Sequence, residues 1–208
     1  MRFLSLLLDI IFPLGRDALI VRSLTEIEVL RHMQPEPRMF DGIEAVALLP
    51  YRTREIGALI REAKFKSNAH AYDLLAEVLH EYLADYLADR NVYEERTTVL
   101  VPIPLSKKRY RERGYNQVEE VVKRVDLPSI EIQPYLLKRT RDTKAQTSLS
   151  RQERLRNTTD AFVSAPLNPQ YLYIVVDDVS TTGATLTDAV RALQGAGAKH
   201  LIAITLTH

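Results

Sequence analysis

The sequence predicts an α/β fold with a doubly wound, mainly parallel sheet. Short apolar runs alternate along the chain with segments of helical periodicity, which is typical of strands joined by helical crossovers. Several apolar runs are continuous, as in strands buried on both faces of a sheet. At 208 residues the chain fits one domain with a small appendage. We expect an N-terminal appendage or hood at residues 1–42 and the main domain at residues 43–208.

The N-terminal residues predict a short helix. Its apolar positions recur at helical spacing and are Leu4, Leu7, Leu8, Ile11 and Phe12. Asp9 interrupts the apolar run and no small-residue cleavage site follows, which argues against a signal peptide. We expect the helix to dock on the body of the protein, and a helix lying on a membrane surface is the alternative. Residues 15–42 show little periodicity and are expected to form a connecting segment.

The rest of the chain alternates between predicted strands and helices. The strands are predicted at 44–49, 98–101, 171–176 and 201–206. The helices are predicted at 54–64, 74–87, 118–125 and 186–193. Pro50 ends the first strand, and Gly195 and Gly197 are stop signals after the last helix.

The composition narrows the possible chemistry. The chain contains no Cys, which excludes disulfides and thiolate zinc sites and agrees with a cytoplasmic location. The formal net charge of +1 argues neither for nor against a nucleic-acid partner. No transmembrane segment is predicted, because the N-terminal apolar run is too short to span a bilayer.

The most informative segment runs from Ile174 to Leu186, where a predicted strand ends in Asp177 and Asp178. We call these two residues the acidic pair, and we call residues 180–185 the anion loop. Ligands of open α/β sheets collect at the carboxyl ends of strands, and a helix N-terminus attracts anions. Hydroxyl donors for phosphate oxygens come from Ser180, Thr181, Thr182 and Thr185.

Gly183 allows the backbone of the anion loop to approach a ligand closely. The acidic pair can accept hydrogen bonds from vicinal hydroxyls, so the predicted ligand is a sugar phosphate. The alternative is a strand, turn and helix joined by a polar loop without a ligand. We favour the ligand, because adjacent carboxylates at a buried strand end are costly without partners.

Two basic segments bear on function. Five cations lie between residues 107 and 113, namely Lys107, Lys108, Arg109, Arg111 and Arg113. We interpret this stretch as a basic loop for a second phosphate group, with a solvated basic turn as the alternative. Residues 137–157 contain seven bases and two acids. That length and polarity are typical of lids and binding loops, and a solvated charged segment is the alternative.

These segments resemble the ComF (GntX-like) family, within the type I phosphoribosyltransferase superfamily. The matching runs are Pro-Ile-Pro…Arg-x-Arg-Gly-Tyr-Asn-Gln, Arg-x-x-x-Thr-x-x-Gln-x-x-Leu-x-x-x-x-Arg-x-x-Asn…Ala-Phe, and Val-Asp-Asp-Val-x-Thr-Thr-Gly-Ala-Thr. The resemblance extends from about Ala45 to the C-terminus and includes Lys64-Phe65. Many members carry an N-terminal four-Cys zinc knuckle, which Gly15 to Phe40 lacks, so no zinc site is expected.

The resemblance implies that the donor substrate is phosphoribosyl pyrophosphate (PRPP), bound with Mg²⁺, and that a nucleobase or amine is the acceptor. The acidic pair would hold the ribose hydroxyls and contact Mg²⁺ indirectly, while Ser180, Thr181, Thr182, Gly183, Ala184 and Thr185 would hold the 5-phosphate. Pyrophosphate would be bound by Leu105, Ser106, Lys107, Arg109 and Arg113. The catalytic residues would be Asp177, Asp178 and Lys107. A closing lid would include Arg139, Arg141, Thr143 and Gln146.

The resemblance also implies a role in DNA uptake during natural transformation, with a helicase-like partner and contact with single-stranded DNA. Three functions therefore stay open. The chain is a phosphoribosyltransferase, a non-catalytic nucleotide sensor or scaffold, or a single-strand-binding protein. In the third case Tyr110 and Tyr115 would provide stacking rings on the basic segments. The sequence leaves the acceptor and the oligomeric state open.

Overall fold

A computed structural model describes residues 15–40, 42–91, 96–140, 161–179 and 182–208 of the chain. Its helices are α1 (Arg16–Ser23), α2 (Glu26–Leu30), α3 (Arg54–Lys66), α4 (Ala69–Asn91), α5 (Lys107–Arg113), α6 (Gln117–Val122) and α7 (Ala184–Gly195). Its strands are β1 (Glu36–Phe40), β2 (Ile43–Leu49), β3 (Thr98–Pro102), β4 (Ile130–Ile132), β5 (Leu137–Arg139), β6 (Phe162–Ser164), β7 (Leu172–Val179) and β8 (His200–Thr207).

Six strands form one sheet in the order β1-β2-β8-β7-β3-β4. Only β1 runs antiparallel to its neighbour; the pairs from β2 to β4 are parallel. In the middle of the sheet Ile174 pairs with Leu100 on one side and with Ile202 on the other. Strands β5 and β6 form a separate antiparallel ladder. The carboxyl ends of the parallel strands therefore meet at one edge, as the predicted fold requires.

Helices cover both faces of this sheet. Along β7, Leu172, Ile174 and Val176 pack in one cluster with α3, α4 and α6, while Tyr173 and Val175 pack in a second cluster with α7. Successive side chains of a strand point to opposite faces, so the two clusters lie on the two sides of the sheet. The predicted doubly wound, mainly parallel α/β fold is confirmed.

The segment between residues 15 and 42 is more regular than a connection. It contains α1, α2 and β1, so the expectation of a connecting segment was wrong here. Thr25 and Glu28 form a capping box at the start of α2, and Asp17 of α1 makes a two-pronged ion pair with Arg61 of α3, at 2.6 and 2.9 Å. The prediction relied on long apolar periodicity, which this segment lacks. The capping box and the ion pair stabilise its short helices instead. The predicted helix at residues 1–14 lies outside the described residues.

The basic segment after β3 is also more regular than predicted. Residues 107–113 form helix α5, whose N-cap is Ser106 and whose C-cap is Gly114 in a left-handed conformation. None of its residues is buried, so it lacks the apolar periodicity that would reveal a helix in the sequence. Within the described part of the chain, no helix is both long enough and apolar enough to cross a bilayer.

Candidate functional site

The acidic pair lies at the carboxyl end of β7, and its two side chains leave the strand on opposite faces. Asp178 shares the face of α3 and α6, whereas Asp177 shares the face of α7. The two carboxylates therefore have different neighbours and different chemistry, although the sequence places them side by side.

Asp178 is buried, and its Oδ2 atom has two donors from distant elements. The Lys64 Nζ atom lies 2.9 Å away, and the Gln117 amide Nε2 donates from 2.6 Å. The other carboxylate oxygen accepts the backbone N–H of Val179 at 2.7 Å. A buried carboxylate with a cation and two hydrogen-bond donors is well compensated for its lost hydration.

Asp177 has fewer partners. Its Oδ1 atom accepts the backbone N–H of Asp178 at 2.9 Å. Burial, together with the negative charge of Asp178, raises the pKa of Asp177 to about 7. Thr205 pairs with Asp177 in the sheet register, and its buried hydroxyl has no hydrogen-bond partner among the described residues. Carboxylates with a raised pKa in a cleft are frequent at functional sites.

The described part of the anion loop closes around a small cavity beside Asp177. The cavity has a volume of about 50 Å³ and is lined by Asp177, Val179 and residues 182–186. It thus contains Thr182, Gly183, Ala184 and Thr185, which the sequence predicted as phosphate ligands. Ser180 and Thr181 lie outside the described residues.

Gly183 has a structural reason to be glycine. Its φ of +71° is left-handed, a conformation that other residues adopt at a cost. A Cβ atom at this position would clash with the side chain of Phe40. Phe40 is the last residue of β1, and its carbonyl accepts a hydrogen bond from the Thr187 hydroxyl at 3.4 Å. Strand β1 therefore forms a wall against the anion loop.

The predicted pyrophosphate residues divide into two groups. Leu105 and Lys107 line a large cavity beside α5, and the Ser106 hydroxyl accepts the backbone N–H of Arg109 at 3.2 Å, which caps this helix. The residues that line this cavity do not include Arg109 or Arg113. The Arg113 guanidinium donates to Gln117 Oε1 at 2.9 Å and lies 5.2 Å from the ring centre of Phe65.

The large cavity, which we call the basic cavity, has a volume of about 610 Å³. Apolar wall residues include Pro104, Leu105, Pro134 and Leu137. The cations around it are Lys107, Arg111, Lys138 and Arg139, and the acid is Glu119. Asn116 and two aromatic rings also line the cavity, and of these rings Tyr110 is 52% exposed and Tyr135 is 76% exposed. This volume is in the range of ligand sites.

Some predicted site residues lie away from the predicted site, and others lie outside the described residues. Tyr115 does not line the basic cavity with Tyr110, because its hydroxyl accepts the backbone N–H of Ser67 at 2.9 Å and its ring packs edge-on against Tyr72. Arg139 lies on β5 with its guanidinium 5.2 Å from the ring centre of Phe162. The other lid candidates, Arg141, Thr143 and Gln146, are outside the described residues.

Lys64, Gln117, Tyr135 and Thr205 are candidate site residues that the sequence prediction missed. Gln117 and Lys64 both occur in the runs that resemble the ComF family, which was the available signal. Their partner is far away in sequence, 61 residues from Gln117. Tyr135 and Thr205 carry no local signal, because only the folded sheet shows which surface each one faces.

The described residues contain no group of three or more His, Asp or Glu side chains that could enclose a metal ion. The acidic pair nevertheless offers carboxylate oxygens. Mg²⁺ prefers oxygen ligands, keeps several waters and often combines one or two carboxylates with substrate phosphates. The donor set therefore fits an Mg²⁺ ion that arrives with a phosphorylated ligand.

Fold and site together define an α/β protein with an acidic pair and an anion loop at the carboxyl edge of a parallel sheet. No protein-family model matches the chain. Competence protein ComFC of Streptococcus pneumoniae is 32% identical over 133 residues, which cover 64% of this chain and 56% of that protein. Competence protein F of Haemophilus influenzae is 28% identical over 165 residues, 76% of this chain and 70% of that protein.

A third relative is DNA utilization protein YhgH of Escherichia coli strain K12. It is 30% identical over 150 residues, which cover 69% of this chain and 63% of that protein. The chain thus spans between 56% and 70% of the lengths of these curated relatives. The relatives support assignment of the chain to the ComF family, as the sequence motifs predicted.

Proposed function

We propose that the protein binds PRPP together with Mg²⁺ and transfers its phosphoribosyl group to an acceptor, as a phosphoribosyltransferase of type I fold. The observation that supports this most directly is the cavity bordered by Asp177 and residues 182–186. It combines a hydroxyl-accepting carboxylate with a glycine-containing loop at a helix N-terminus, which suits a sugar phosphate. The parallel sheet with helices on both faces is compatible with this class.

In this proposal each group has a separate task. The anion loop holds the 5-phosphate through backbone N–H and hydroxyl groups, and the acidic pair accepts hydrogen bonds from the ribose hydroxyls. Lys107 and the backbone around Ser106 stabilise the negative charge that develops on the departing pyrophosphate. Asp177 and Asp178 would help to hold Mg²⁺, which would supply positive charge to neutralise part of the pyrophosphate charge. The acceptor is a nucleobase or an amine.

Release of pyrophosphate tests the catalytic part of the proposal. The protein would be incubated with PRPP and Mg²⁺ and a panel of nucleobases and amines, and pyrophosphate would be measured by a coupled assay. We expect release with at least one acceptor, and at least a tenfold loss in Lys107→Ala. PRPP binding without release for any acceptor would contradict the enzyme and favour the nucleotide sensor or scaffold.

The names of the relatives support a cellular role in competence and DNA uptake. We propose that this chain serves the same process in the cytoplasm, with a helicase-like partner. When the ComF-family gene of a naturally transformable host is deleted, expression of this chain should restore transformation. Asp177→Asn should restore less at equal protein level. Equal restoration by the wild type and Asp177→Asn would show that the cellular role does not depend on the acidic pair.

The basic cavity favours direct contact with single-stranded DNA as a second candidate function. Four cations against one acid, together with the exposed rings of Tyr110 and Tyr135, match the combination of charge and stacking used for single strands. Anisotropy of a labelled oligonucleotide should report affinity that falls steeply between 50 and 200 mM salt, on the scale typical of phosphate contacts. Tyr135→Ala should weaken binding by about 1–3 kcal/mol, while Tyr115→Phe should not. Equal affinity in Tyr135→Ala would remove this cavity from DNA binding.

A further inference from the structure

Asp178 is held by side chains from two helices that the sequence separates widely from it. Lys64 lies in the last turn of α3, and Gln117 is the first residue of α6. Both donate to the same Asp178 oxygen, at 2.9 and 2.6 Å. A carboxylate has about four acceptor positions. Lys64, Gln117 and the Val179 N–H occupy three of them, which leaves one position, on Oδ1, for a ligand hydroxyl.

The network continues outward from Gln117. The Arg113 guanidinium donates to Gln117 Oε1 at 2.9 Å, which orients the amide so that its Nε2 faces Asp178. The same guanidinium lies over the ring of Phe65, the neighbour of Lys64. Asn116 fixes the base of this arrangement, because its side-chain amide donates to the Ile103 carbonyl at 3.0 Å and its oxygen caps α6. The cations of Lys64 and Arg113, the Gln117 amide and the Asp178 carboxylate therefore form one connected network of contacts.

We infer that Lys64 and Gln117 are positioning residues for Asp178, and that Arg113 acts through Gln117 instead of contacting pyrophosphate. The inference rests on the proposed binding of PRPP.

The first experiment separates positioning from general structural support. Affinity for PRPP with Mg²⁺ would be measured by calorimetry for the wild type, Lys64→Met and Lys64→Arg. We expect at least a tenfold loss in Lys64→Met and substantial recovery in Lys64→Arg. Affinity for inorganic phosphate, measured by NMR titration, should stay within twofold, because phosphate contacts the anion loop and not Asp178.

Coupling to Asp178 gives a stricter test. In the Asp178→Asn background, Lys64→Met should cost less than a third of its wild-type fold-loss, because the group that it positions is gone. Full additivity of the two losses, or a parallel loss of PRPP and phosphate affinity, would overturn the positioning role and indicate a structural one.

The role of Arg113 is tested in the same way. Arg113→Gln should weaken PRPP binding in the wild type and have little further effect in Gln117→Met, whereas Lys107→Gln should have the same effect in both backgrounds. An equal cost of Arg113→Gln in both backgrounds would place Arg113 on the ligand and contradict the inference.

A ligand-free measurement distinguishes failure of this inference from failure of the proposed function. Urea unfolding of the wild type, Lys64→Met, Asp178→Asn and the double variant measures coupling between the two residues without PRPP. If the wild type does not bind PRPP, the proposed function fails and the positioning role fails with it. Coupling between Lys64 and Asp178 in the unfolding free energies would then show only that the two residues make a structural contact. If the wild type binds PRPP but the unfolding free energies are additive, the network itself is overturned.

Discussion

At the residue scale, Asp177 carries an electrostatic cost in the free protein. Its carboxyl is partly buried beside Asp178, and this burial together with the neighbouring carboxylate raises the pKa of Asp177 from 3.8 to about 7. A raised carboxyl pKa means that the folded state binds a proton more tightly than the unfolded state. The stability that this proton contributes is fully present below pH 4 and is lost as the pH rises towards 7 and above.

Asp177→Asn should therefore stabilise the metal-free protein more at pH 8 than at pH 5. We expect a difference between the two pH values on the order of 1–3 kcal/mol in the free energy of unfolding, measured by urea denaturation in EDTA. Asp85→Asn, an exposed change on α4, is the control and should show no such difference. A variant that is less stable than the wild type at pH 8 would contradict the raised pKa.

Gly183 is a second residue at which a substitution should change the stability of the protein. Gly183→Ala would place a left-handed alanine against Phe40, so we expect destabilisation of about 2 kcal/mol or more. Gly195→Ala is the matched control, because it lies at the end of α7 with nothing within 4 Å of the added Cβ. That variant should be neutral or slightly stabilising. Thermal unfolding of both variants measures the difference, and equal melting temperatures would refute the proposed strain.

At the element scale, helix α1 is joined to α3 by the Asp17–Arg61 ion pair. The geometry is two-pronged, but both side chains are partly exposed, at 32% and 43%. Arg61→Gln should therefore lower the free energy of unfolding by only about 0.5–1 kcal/mol, whereas Arg52→Gln, an exposed change before α3, should have no effect. Salt should reduce the difference. A loss that persists unchanged at 1 M NaCl would show that packing, and not charge, holds α1.

Elements that bury a whole face were predictable, and short or exposed elements were not. The apolar runs of β3, β7 and β8 and the stripes of α4 and α7 are visible in the sequence because burial imposes their patterns. Strand β4 has three residues, too few for a pattern. Strand β1 contains Pro37, which a sheet tolerates at its edge. Helix α5 could have been found from its caps, Ser106 and Gly114, but not from periodicity.

At the scale of the whole molecule, the parallel sheet brings distant segments to one edge. The sequence could predict the anion loop and the acidic pair because both lie within one local run. It could not predict the contacts of Lys64 and Gln117 with Asp178, since these contacts depend on α3 and α6 packing on the same face of β7 as Asp178. The division at residue 42 and the ligand roles stay predictions.

Calorimetry can measure whether the carboxyl edge of this sheet binds PRPP. PRPP with Mg²⁺ would be titrated into the full chain, beside an Asp177→Asn/Asp178→Asn double variant that is shown to be folded by circular dichroism. We expect micromolar binding to the wild type and at least a hundredfold loss, about 2.7 kcal/mol, in the double variant. Absence of heat with the wild type, or equal affinity in the double variant, would contradict this expectation.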